Sequence, residues 1–215
     1  FSVETIKRLL ILSKAFPDNS RAPLRGATYE MIFALLAGLG LRVSEVARLQ
    51  WGDVDLAREV LEIQNTKFGK DRLVPFGPKL SNRLYGYRAR REARGYDCTG
   101  ADFMFSWNGL TAISTNSIRN TFRDDLLPQL ALDVPDGVFG PHVHGLRHSF
   151  AVRTLLNWYR QGRVPVDHLH YLSTFLGHTN PSSTAVYLTI TGELLNAANQ
   201  RFEAFAPILD EGVGQ

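Results

Sequence analysis

Residues 31–41 read Met-Ile-Phe-Ala-Leu-Leu-Ala-Gly-Leu-Gly-Leu, an apolar stretch without one charge. Nothing else in the chain limits its fold so strongly. The stretch is about half as long as the ~20 residues that a bilayer-spanning helix requires. It therefore reads as a helix buried inside a globular core. A helix that is apolar on every side needs packing partners on every side. The material for them is present, because 44% of the 215 residues are hydrophobic. That length allows one large domain or two small ones.

The helix is expected to open at Thr28 and to end near Gly38-Leu39-Gly40, where glycine suits a helix C-terminus. Before it, Ser2 is placed to cap a first helix with Val3, Ile6, Leu9 and Leu10 on one face. Residues 17–26 are rich in turn formers and read as a loop. A short third helix covers 43–49. Residues 59–64 and 72–75 alternate or are β-branched, with a turn-rich connector between them, and together predict a β-hairpin. Helices are then expected over 78–94 and 118–130, from residue 143 or 144 onward with Leu146, Phe150, Val152 and Leu155 inward, and over 166–175, 182–190 and 193–205. The expected fold class is mainly α with a small antiparallel β-sheet (α+β), in one domain covering residues 1–215.

A single cysteine, Cys98, excludes an internal disulfide framework and a multi-cysteine zinc site. It fits a reducing interior. No secretory signal is evident, and the start at Phe1 suggests a piece of a longer protein. The net charge of +3 permits a nucleic-acid partner without establishing one.

Four clusters carry candidate chemistry. In the first, Gly40-Leu41-Arg42-Val43-Ser44-Glu45, an arginine stands at a helix junction among apolar neighbours. Burying a guanidinium is costly unless it is paired, and Glu45 is within reach. The plain alternative is a structural ion pair; the functional one is a rigid grip on an anion, since the planar fork of Arg suits phosphate. The second cluster puts Lys67, Lys70 and Arg72 at the hairpin tip, either simply solvated or presenting a lysine to a phosphodiester. The third is His142-Val143-His144-Gly145-Leu146-Arg147-His148. His144 and Arg147 share a helix face, and His144 and His148 have metal-ligand spacing but lack the glutamate usual beside paired zinc histidines. The fourth runs from Leu176-Gly177-His178 to Tyr187, which by default is a core tyrosine.

In chain order, these clusters give Arg, Lys on a β-turn, His-x-x-Arg, Leu-Gly-His and Tyr nine residues later. The pattern resembles the tyrosine recombinase, or phage integrase, family over about residues 28–205. The resemblance implies that family's catalytic-domain fold and a set of roles. Tyr187 is the nucleophile. Arg42 and Arg147 hold the scissile phosphate, and Lys67 protonates the leaving 5′ oxygen. His144 is the general acid/base, His178 a further hydrogen-bond donor, and Glu45 the partner that orients the Arg42 region. No metal or other cofactor is implied. The implied partner is double-stranded DNA bound by a homotetramer, with the 193–205 helix either exchanged between protomers or folded back on its own domain. No membrane is involved, and the expected place of action is the cytoplasm, at the bacterial nucleoid.

Chemistry supports such a division of labour. A phosphodiester is anionic and resists attack until charge on its oxygens is neutralised. A tyrosine of pKa ~10 is ionised in about one molecule in a thousand at pH 7, and making the phenolate costs roughly 4 kcal/mol. Cations and a nearby base lower that cost. The covalent intermediate conserves the bond energy, so rejoining needs no ATP. Lys79, Arg83, Arg88, Arg90, Arg91 and Arg94 on or near the long helix are then either an ordinary solvated face or, with Lys67, Lys70 and Arg72 of the hairpin, a patch that contacts the DNA backbone.

Two departures stand out. The stretch between Arg147 and His178 is longer than in typical members, with 157–165 read as extra helix and loop. An N-terminal DNA-clamping domain is not visible, since 1–15 read as the start of the catalytic domain. Other readings are a type IB topoisomerase, a metal-dependent hydrolase built on His142, His144 and His148, and a non-catalytic DNA-binding protein.

Overall fold

Ser2 caps the first helix, α1 (Val3–Lys14), its Oγ accepting from the Thr5 amide at 3.0 Å. The computed structural model describes residues 1–64, 71–132, 140–178, 180 and 182–189. Ile6 and Leu9 of α1 are buried, and α1 packs on α2 (Arg25–Leu39). This second helix starts before Thr28, and the reason lies outside the helix. The Arg25 amide donates to Asp18 Oδ1 at 3.0 Å across the preceding loop. Thr28 is no cap: its hydroxyl is buried and hydrogen-bonded to the Tyr87 hydroxyl at 3.1 Å.

The apolar stretch behaves as its composition demands. Ile32, Phe33, Leu35 and Leu36 are at most 1% exposed, and α2 contacts α1, α3 and α4. Each such side chain contributes about 1.5–3 kcal/mol of burial, so Leu35→Ala is expected to cost about 2–5 kcal/mol. Gly40 ends the helix with φ 62, a left-handed conformation suited to glycine. α3 (Val43–Arg48) follows after two residues.

The sheet has three antiparallel strands in the order β1 (Val54–Asp55), β2 (Val60–Ile63) and β3 (Arg72–Pro75). The expected hairpin is β2–β3. Glu59 is not in it, because its φ of 53 belongs to a turn. β1 was not anticipated, since two residues are too few to show an alternation. Leu61 pairs with Val74 and Ile63 with Arg72. Leu61, Val74 and Ile63 are all buried. Strand alternation puts Arg72 on that same inner face.

α4 (Pro78–Glu92) is the long basic helix, and its charge is less available than its sequence implies. Arg91 is 1% exposed and donates from Nη1 to the Ser106 carbonyl at 2.9 Å. Its guanidinium lies 4.3 Å from the Tyr96 ring centre. The expectation that Arg91 contacts DNA is therefore corrected. Arg83 pairs with Glu30, Arg88 with Glu92 and Arg94 with Asp18.

The helix expected over 118–130 begins earlier and is not uniform. Ser114 caps α5 (Thr115–Asn120), accepting from the Ser117 amide at 2.9 Å. A π-helical segment, Thr121–Leu126, leads into α6 (Leu127–Leu130). The chain divides into two compact units, Phe1–Phe150 and Ala151–Gln215. α7 (Gly145–Arg160) has Leu146, Ala151 and Leu155 buried. Within the second unit, α8 (Pro165–Leu176) packs against α9 (Ser182–Thr189). The helix expected over 193–205 lies outside the described residues. Among the described residues, no helix is long and apolar enough to cross a membrane.

Candidate active site

Arg42 occupies the N-cap of α3, two residues beyond the glycine that ends α2. Its backbone is held by Glu45, whose Oε2 accepts from the Arg42 amide at 2.8 Å. Glu45 Oε1 accepts from Arg42 Nη1 at 2.7 Å. The anticipated ion pair is thus present, and it has a third member. Arg72 donates from Nη1 to Oε1 and from Nη2 to Oε2, both at 2.9 Å, a two-pronged grip on the same carboxylate. The Glu45 side chain is 2% exposed, Arg72 7% and Arg42 26%. Burial alone pushes the Glu45 carboxyl up, but the bond and charge of Arg72 and the backbone and side-chain bonds of Arg42 outweigh it and hold the group below its ordinary value. Arg72 is therefore no solvated hairpin cation available to DNA, as had been expected. Of the two arginines on this carboxylate, Arg42 is the one that keeps an exposed side.

Arg147 comes to the same place from far along the chain. It is 2% exposed and donates from Nη1 to the Gly40 carbonyl at 2.7 Å, across 107 residues of sequence. His144 immediately precedes α7, and its carbonyl accepts from the Arg147 amide at 3.0 Å. Its ring meets that of His148 edge-on, with centroids 4.7 Å apart, and lies 6.3 Å from His142 in a near-parallel stack. Desolvation, then the charges of His148, Arg147, His142 and Arg42, lower its pKa to about 4. The residue as a whole keeps an exposed side, so water screens part of this effect; the direction follows from its cationic neighbours. At neutral pH His144 is uncharged and has a ring nitrogen able to accept a proton.

The second unit places the remaining candidates. Gly177, with φ 68, ends α8, and the His178 amide returns to the Ser173 carbonyl at 2.9 Å, the Schellman closure of a helix end. His178 Nδ1 is hydrogen-bonded to Thr184 Oγ1 at 2.7 Å. Thr184 is 0% exposed and lies on α9 three residues before Tyr187, hence on the same helix face. Tyr187 is 7% exposed. Thr184 escaped the sequence reading. Its one signal there was its spacing of three from the tyrosine, which many core threonines share.

Arg42, Glu45, His144 and Arg147 are thus gathered in the first unit, and His178, Thr184 and Tyr187 in the second. Lys67 lies outside the described residues. Among the described residues, no three His, Cys, Asp or Glu side chains are grouped to hold a metal ion, the histidines of 142–148 included.

Residues 4–193 match the phage integrase family. The chain belongs to that family. This integrase-family chain is 36% identical over 204 residues to a protein of Sinorhizobium fredii named as an integrase/recombinase, a match covering 94% of the chain and 65% of the relative. It thus spans about two-thirds of that relative's length. Its fold is similar to that of the XerA recombinase crystal structure, with TM-score 0.72, 24% identity, and 94% of this chain and 64% of the other covered. It is likewise similar to the XerH site-specific recombinase bound to palindromic difH substrate in a post-cleavage complex, with TM-score 0.68, 18% identity, and 94% and 53% covered. Both likenesses concern the fold, mainly helical with a small antiparallel sheet.

Proposed function

We propose that this chain is the catalytic domain of a site-specific DNA recombinase that cuts and rejoins strands through a 3′-phosphotyrosine at Tyr187. The observation that carries the proposal is the hydrogen bond from Arg147 to Gly40, which brings a second guanidinium to the junction held by Arg42. Two arginines held by fixed partners suit an anion with several oxygens, because each guanidinium carries several donors in one plane. Membership of the phage integrase family supports reading that anion as a DNA phosphodiester.

In the proposed reaction Arg42 and Arg147 bind the non-bridging oxygens and neutralise charge as it develops. The Tyr187 oxygen attacks phosphorus, its proton passes to His144, and the bond from phosphorus to the 5′ oxygen breaks. Lys67 protonates that leaving oxygen. The products are a 3′-phosphotyrosine and a free 5′ hydroxyl, and the reverse steps with a new 5′ hydroxyl join the strands. The arriving phosphate offsets the cationic neighbours that depress His144, which raises its basicity when a base is needed. His178, oriented by Thr184, supplies a further donor. A tetramer on double-stranded DNA, with residues 193–205 exchanged between protomers, follows from the same proposal, as does action in the cytoplasm at the nucleoid.

The test is incubation with supercoiled plasmid in EDTA without ATP, beside Tyr187→Phe. Relaxation and covalent protein on 3′ DNA ends are expected from the wild type alone. Equal activity in both proteins would remove Tyr187 as the nucleophile. A requirement for two matched sites, with exchange of flanking DNA, separates recombination from simple relaxation.

A further inference from the structure

Glu45 has four sites at which its two oxygens accept hydrogen bonds, by the ordinary capacity of a carboxylate. All four are used: Oε1 by Arg42 Nη1 and Arg72 Nη1, Oε2 by the Arg42 amide and Arg72 Nη2. The carboxylate is 2% exposed, so water is a poor substitute for any of these donors. Arg42 has its amide and its guanidinium bound to this one group. Glu45 therefore takes part in setting the orientation of Arg42, and two of the four bonds to Glu45 come from Arg72.

Arg72 is itself well anchored. It opens β3 opposite Ile63, on the face that buries Leu61 and Val74. The two parallel bonds to Glu45 need the planar fork of arginine, which lysine lacks. Arg72 is also five residues beyond Lys67 in sequence. The strand that leaves the Lys67 segment and the helix that begins with Arg42 thus share one carboxylate.

We propose that Arg72 is a positioning residue for Arg42, fixing through Glu45 the orientation of the guanidinium that grips the scissile phosphate. This rests on the assignment of Arg42 to that grip. Arg72 acts through Glu45, which its guanidinium grips with two bonds. It converts Glu45 from a single-sided partner of Arg42 into a clamped one, which lowers the entropy cost of meeting the phosphate in one geometry.

Arg72→Met and Arg72→Lys, made in the whole chain, test it with two readouts. The first is hydrogen exchange at the Arg42 amide, which donates to Glu45. Arg72→Met is expected to speed this exchange about tenfold or more, Arg72→Lys less, while core amides such as those of Leu35 and Leu36 keep their protection. Unchanged exchange at Arg42, or equal loosening of the core amides, overturns the proposal. The second is the rate of covalent complex formation on supercoiled plasmid. Arg72→Met should lower the plateau rate roughly 10- to 100-fold with the half-saturating DNA concentration within about twofold of wild type, and Arg72→Lys should recover part of the loss. In an Arg42→Lys background the second substitution should add little, because both act through one group. Losses that multiply overturn the proposal. If Arg72→Met melts below the assay temperature, Arg72→Lys carries both readouts. A wild type that forms no covalent complex counts against the phosphate assignment of Arg42, and the amide exchange still decides whether Arg72 positions it.

Discussion

Arg147, the third residue of α7, donates to the carbonyl of Gly40, the residue that terminates α2, at 2.7 Å. A helix end leaves carbonyls without intrahelical partners, and here one of them becomes the seat of an arginine. The bond ties the guanidinium to the geometry of two helices as well as to its own flexible stem.

Arg147→Ala should therefore cost both stability and activity. The buried Gly40 carbonyl loses a partner, a penalty of about 1–3 kcal/mol, to be read from urea unfolding. Arg147→Lys keeps the charge and loses the fork. Covalent complex formation on plasmid should fall roughly 100-fold, and a lysine variant of full activity would show that two-pronged recognition is not what Arg147 supplies.

Glu45→Gln removes the anion from between two arginines. Leaving buried charge without its counter-ion costs about 3–5 kcal/mol, to be measured by thermal or urea unfolding. The pH dependence should change as well. Glu45 has its pKa lowered in the fold, because Arg72 and Arg42 outweigh the cost of burial. Its stabilising contribution is complete above the unfolded value of about 4.3 and is lost as pH falls through the folded one. The acid limb of the stability profile should be shallower in Glu45→Gln than in the wild type.

His144 titrates with the opposite charge change and in a different window. Desolvation and its cationic neighbours lower its pKa from 6.5 to about 4. The folded protein prefers the neutral ring, so the contribution is complete above the unfolded value and is progressively lost as pH falls from 6.5 through about 4. Melting temperatures at pH 7.5 and pH 5, at roughly physiological salt, should differ more for the wild type than for His144→Asn. An equal difference in both would place the titration elsewhere.

Thr184→Val preserves shape and removes the partner of the His178 ring. The expected stability cost is about 1 kcal/mol. If this bond sets the orientation of His178, covalent complex formation should fall about tenfold, with a shifted His178 ring resonance as the accompanying sign. A changed resonance at full rate would leave His178 outside the chemistry.

Much of the fold was legible because its signals are local. Ser2 caps α1 through an oxygen three residues from its donor, Gly40 and Gly177 end helices by their own backbone freedom, and the apolar run of α2 excludes water on all sides. The start of α2 was misplaced because its N-cap, Leu24, offers no capping side chain, and the acceptor of the Arg25 amide is Asp18, seven residues before it and beyond any helical spacing. β1 is too short to alternate, and the π-helical stretch inside the 115–130 segment leaves no mark in a pattern of apolar residues.

Sequence by itself determined the family and the order of its chemical groups. Residue types at motif spacing do not depend on how the chain is arranged in space, and residues 4–193 match the phage integrase family. Tertiary structure alone decided which charges are available. Arg72 turns inward because strand register puts it on the face of Ile63. Arg91 disappears beneath Tyr96 and Ser106. Arg147 finds a glycine carbonyl 107 residues away. A side chain's charge is written in its residue type, but its solvation and its partners are properties of whatever the fold brings beside it.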